Sequence, residues 1–105
     1  MGANESLFRE VNERLAGLAD QRGRTSLEIV CECDREDCTE RISLSIQEYE
    51  EVRQNAKAFI VLRGHADPDY ESVLASSGAH DVVEKFGEAG EVARVANPRN
   101  GKGPE

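Results

Sequence analysis

Cys31, Cys33 and Cys38 are the only cysteines of this chain. They fall in one short run, Cys31-Glu32-Cys33-Asp34-Arg35-Glu36-Asp37-Cys38. A histidine, His65, follows a hydrophobic segment in the dipeptide Gly64-His65. Three thiolates and one imidazole are the ligand set of a closed tetrahedral zinc site. Thiolate is a soft donor that suits zinc, with Zn–S bonds of about 2.3 Å. Cys-x-Cys-x4-Cys is less diagnostic than two paired Cys-x2-Cys knuckles, and much more diagnostic than scattered cysteines. Small buried hydrophobes are the competing reading. It suits Cys31 but not Cys38, which stands among Asp37, Thr39 and Glu40. A disulfide would strand the third cysteine.

For the fourth ligand, His65 is expected ahead of His80, because it directly follows the most apolar segment of the chain. Glu32, Asp34 and Asp37 are reserve oxygen ligands or supporting partners of the site. A closed site with three cysteines and a histidine leaves no coordination position for a reacting water, so it reads as structural. The chain has no HExxH, G-x-S-x-G or Walker loop, and no deaminase H-x-E with P-C-x-x-C. The carboxylate run Glu48, Glu50, Glu51 reads as a solvated helix face. No catalytic residue is assigned.

These ligands need elements to position them. Leu7, Phe8, Val11, Leu15 and Leu18 recur at helical spacing, which predicts an amphipathic helix over residues 4–19, capped by Asn4 or Ser6, with Glu10 and Arg14 paired at i,i+4. The myristoylation-like start at Met1-Gly2 and the sequon Asn4-Glu5-Ser6 are read as part of this helix start. Residues 26–33 alternate as a strand, with Leu27, Ile29, Cys31 and Cys33 on one face. A second strand over 41–45 closes a hairpin whose turn carries Cys38. Ser45-Ile46-Gln47-Glu48 is a capping box opening a short helix to residue 55. The run Phe59-Ile60-Val61-Leu62 predicts a buried strand over 58–63. Asp67-Pro68 predicts a helix over 68–76, and a further strand covers 80–86. Residues 87–96 fit a helix except at Gly90. The expected architecture is α+β: a small antiparallel or mixed sheet of about four strands with three or four helices, stapled by zinc. Residues 1–96 form one domain, and 97–105 a disordered polar tail.

Bulk properties narrow the partners. The chain has 105 residues, 21 acids against 13 bases and a net charge of −8. That balance repels phosphate backbones, so nucleic acid is not expected as a partner. No segment matches a membrane helix or a secretory leader. Free or metal-bound thiols place the chain in a reducing cytoplasm.

The run Cys31-Glu32-Cys33-x4-Cys38, then Glu48-Tyr49-Glu50-x-Val52-Arg53, then Phe59-Ile60-Val61-x-x-Gly64-His65 resembles a family of small uncharacterised proteins of high-GC bacteria. The resemblance spans Phe8 to Arg99. It implies a bacterial cytoplasmic protein, supports grouping the cysteines with His65, and brings no activity. The favoured function is a zinc-stabilised protein-binding or regulatory module. The alternatives are a thiol redox sensor that releases zinc on oxidation and a small zinc-dependent enzyme.

Overall fold

The computed structural model describes residues 3–33, 35 and 38–99. Along the chain run α1 (Ala3–Gln21), β1 (Ser26–Val30), β2 (Arg41–Ser45), α2 (Ile46–Arg53), β3 (Ala58–Leu62), β4 (Glu71–Ser77), β5 (His80–Lys85) and α3 (Gly87–Val95). The class is α+β. Among the described residues, five strands form two antiparallel sheets, β1-β2 and β3-β5-β4, where one sheet of about four strands was expected.

The first hairpin follows from the alternation. Leu27 pairs with Leu44 and Ile29 with Ile42, and all four are buried while Ser26, Glu28, Arg41 and Ser43 are exposed. β1 ends at Val30, so the two cysteines that follow lie beyond it, although the Cys31 N–H still reaches across to the Glu40 carbonyl. The capping box forms as expected. Ser45 Oγ accepts from the Glu48 N–H at 3.0 Å, and Glu48 Oε1 accepts from the Ser45 N–H at 2.9 Å. In β3, Ala58, Phe59, Ile60 and Val61 are all buried, as the unbroken apolar run requires.

The helix expected over 68–76 is absent, and its residues form strand β4 instead. The cap signal acts locally: Asp67 Oδ1 accepts from the Asp69 N–H, and Asp67 O accepts from the N–H groups of Tyr70 and Glu71. This makes one turn that does not propagate. Ser77 instead pairs with His80 across a two-residue connection whose first residue, Gly78, has φ +57. Glycine with positive φ at that place is the preference of a tight II′ hairpin. The non-local ladder onto β5 overrides the local helix start.

Residues 87–95 do form a helix, α3, and Gly90 is part of the reason. A Cβ at Gly90 would come within 2.7 Å of the Lys85 carbonyl oxygen. Only glycine lets α3 approach β5 this closely.

α1 begins at Ala3, so neither Asn4 nor Ser6 precedes it as a cap. It docks through a different face from the one its apolar residues mark. Arg9, Asn12, Ala16 and Ala19 are buried, while Leu7, Val11 and Leu18 are 55%, 37% and 51% exposed. Arg9 donates to the carbonyls of Ala56 (2.8 Å) and Ala93 (2.7 Å), with its guanidinium over the Phe59 ring. Asn12 donates to the Val30 carbonyl and accepts from the Val30 N–H. Hydrogen bonds to otherwise unpaired backbone thus fix this helix. Glu10 and Arg14 are exposed and make no ion pair with each other.

At the chain's end, residues 100–105 of the expected tail lie outside the described residues. Arg99 forks onto Glu13 at 2.8 and 3.1 Å and reaches Glu50 at 3.0 Å.

Candidate metal centre

Two segments meet beside β3. After β1 the chain stays extended: the Cys31 N–H donates to the Glu40 carbonyl and the Glu32 N–H to the Ile60 carbonyl, both at 2.9 Å. That second bond holds the Cys31-Glu32-Cys33 segment alongside β3. His65 comes from the turn that ends β3. Gly64 has φ +87, the His65 N–H returns to the Leu62 carbonyl at 2.9 Å, and the Gly64 N–H donates to Asp81 at 3.2 Å. Asp81 is itself held by the Ser76 hydroxyl at 2.6 Å. The loop carrying His65 is therefore tied to both β4 and β5.

This brings Cys31, Cys33, Cys38 and His65 together, with their ligand atoms all within 4.8 Å of one another. His65 Nδ1 stands 3.7 Å from Cys31 Sγ and 3.7 Å from Cys38 Sγ. A tetrahedral ion with Zn–S of about 2.3 Å and Zn–N of about 2.05 Å spaces those atoms about 3.6 Å apart. The group could hold a metal ion. The cysteines are buried, and His65 is the half-buried member facing solvent.

The electrostatics favour a cation. Burial pushes the Cys31 thiol well above its usual range; the neighbouring thiols add to the rise, against the Leu62 N–H that donates to its sulfur at 3.1 Å. Burial likewise raises Cys33. Without a positive ion these groups resist ionising. With one, the Leu62 N–H supports the bound thiolate as outer partners of metal ligands do.

Of the reserve ligands, Asp34 and Asp37 lie outside the described residues. Glu32 is not in the cluster, and its carboxylate bonds to none of the four clustered side chains; it anchors the segment between Cys31 and Cys33. Fully buried, it accepts from the Ile60 N–H at 2.9 Å with one oxygen, and from Asn12 at 2.6 Å and Arg53 with the other. His80 is buried in β5, opposite Leu62 and Ser77, and stands outside the cluster.

Sequence reasoning missed Arg9, Asn12 and Arg53 as the frame behind the site. Arg53 lies over the Tyr49 ring, and the Tyr49 hydroxyl donates to Glu13 at 2.7 Å. The available signal was the helical spacing of Arg9, Asn12, Ala16 and Ala19, in which two small residues continue a polar pair along one face. Comparison with known protein families, with curated proteins and with solved structures finds no match.

Proposed function

We propose that Cys31, Cys33, Cys38 and His65 hold one zinc ion in a closed tetrahedral site. On this reading the chain is a zinc-stabilised module of the bacterial cytoplasm that acts through a protein partner. The observation carrying the metal assignment is the 3.7 Å spacing of His65 Nδ1 from two sulfurs that lie far from it in sequence. Three soft thiolates and an imidazole select zinc over hard-cation alternatives such as magnesium or calcium. Four protein ligands leave no position for a reacting water, which favours structure over catalysis. The buried sulfurs weigh against fast oxidation and so against the redox-sensor reading, since sensor thiols are accessible ones. Net charge −8 favours a protein partner over nucleic acid.

Elemental analysis of protein purified without added metal tests the site. The expected result is close to one zinc per chain. Cobalt substitution should give the thiolate charge-transfer and tetrahedral d–d bands, and His65→Ala should alter the d–d bands. A folded chain that takes up neither metal would reject the assignment.

A further inference from the structure

α1 buries Arg9 and Asn12 together with Ala16 and Ala19, keeps Phe8 and Leu15 half-buried, and leaves Leu7, Val11 and Leu18 outside. Leu7, Val11 and Leu18 form a stripe spaced by four and seven residues, the period of a helix–helix seam. We propose that this stripe is the interface of an antiparallel homodimer, in which α1 of one copy packs on α1 of a second. The proposal goes beyond the metal site and does not depend on it.

Three features of the helix point to a second copy. The first is self-complementary shape. Leu7 and Leu18 lie eleven positions apart, about 16 Å along the helix. A two-fold axis between residues 12 and 13 sets Leu7 of each copy beside Leu18 of the other. Next to Leu18 is a hollow of about 290 Å³, lined by Leu15, Leu18, Ala19 and Leu27 and edged by the polar residues Arg22, Arg24, Ser26 and Glu28. Leu7 of the second copy is the apolar side chain that this arrangement brings to it. One surface thus carries both knob and hole, as an isologous contact requires.

The second feature is charge. The same two-fold axis brings Glu10 of each copy near Arg14 of the other, giving two symmetric pairs. Neither residue has an ion-pair partner among the described residues of its own chain. The third is the local balance. Across this face and the hollow beside it, exposed Glu10, Asp20 and Glu28 stand against exposed Arg14, Arg22 and Arg24, an even balance. A chain with net charge −8 repels its copies over most of its surface, and this face does not share that acidity.

Sedimentation velocity of the full, zinc-supplemented chain from about 1 to 500 µM tests the proposal, a span covering weak to moderate dimers. A concentration-dependent dimer is expected. Leu7→Lys with Leu18→Lys should raise the dissociation constant at least about tenfold. Both residues are exposed, and unchanged circular dichroism and zinc content would show the fold intact. Glu10→Arg alone should weaken the dimer by opposing two arginines, and adding Arg14→Glu should restore it. A monomer throughout the range would overturn the proposal and leave the stripe to a different protein. A dimer indifferent to the leucine and charge changes would overturn it too, and would move the interface to another edge, such as β4.

Discussion

Glu32 and Arg53 form an ion pair sealed from solvent, with side chains 0% and 1% exposed, directly behind the two cysteines that flank Glu32. Chain direction explains the placement. Successive side chains of an extended segment point to opposite sides, so Cys31 and Cys33 face the cluster while Glu32 faces the core. Burial disfavours charge on Arg53, but Glu32, Tyr49 and Glu13 outweigh it and hold the guanidinium charged. One carboxylate thereby links the ligand loop to β3, to α1 through Asn12 and to α2 through Arg53.

Glu32→Gln should therefore be costly in two readouts. It leaves the buried Arg53 charge with only the longer contact to Glu13 at 3.7 Å, a loss of up to about 3–5 kcal/mol in denaturant unfolding. It also frees the ligand loop, and metal affinity should fall by about tenfold or more, as for other groups that support metal ligands. A variant with parental stability would show that the pair contributes no net support. Parental affinity in a destabilised variant would separate the frame from the site.

Removing the metal should lower the melting temperature, because its binding free energy adds to folding free energy. The β3-β5-β4 sheet and α3 have their own core contacts, so the chain should lose stability without unfolding outright. Cys38→Ser should melt below the parent when zinc is supplied. With chelator present the two should melt together. A parent unmoved by chelator would show that the site does not stabilise the fold.

The legible parts of this chain were those with local causes. The alternation read over 26–33 formed a shorter strand over 26–30, while the capping box at Ser45 and the apolar run of β3 formed as read; each acts within a few residues. The three clustered cysteines were legible from ligand chemistry, and His65 from its place just after the apolar run of β3. What stayed hidden was decided by distant partners. β4 carries a valid helix start at Asp67, but pairing with β5 across Gly78 prevails. α1 shows an apolar stripe, but backbone groups left open at Val30, Ala56 and Ala93 draw Asn12 and Arg9 inward instead. No periodicity rule registers a carbonyl that needs a donor from far along the chain.

Acid stability should depend on Glu13. Burial pushes its carboxyl up, but hydrogen bonds from Arg99 and Tyr49, and the charges of Arg99 and Arg53, outweigh this and hold it below the usual range. A carboxyl depressed in the folded state contributes stability above its unfolded value, about 4.3. That contribution is lost as pH falls through the lower folded value. Glu13→Gln should cost about 1 kcal/mol at neutral pH, and the two proteins should converge as pH falls below about 4. A gap that stays constant down to pH 3 would show that Glu13 acts through packing rather than charge.

Metal uptake should release protons. Burial raises the thiols of Cys31 and Cys33, so both enter the reaction protonated at neutral pH. Coordination requires the thiolates, and the ion must displace those protons. Loading metal-free protein with zinc at pH 7 in a weakly buffered indicator solution should therefore release at least two protons per zinc. The apparent affinity should rise with pH over the same range, because the competing protons grow scarcer. The sign follows from the direction of the shifts: a thiol raised in the metal-free fold pays for its proton only when the metal binds. Release of fewer than one proton per zinc would mean that the cysteines were already ionised, or that they are not the ligands. Charge-transfer bands of the same metal-free protein loaded with cobalt in place of zinc distinguish the two outcomes, since only ligated thiolates give them.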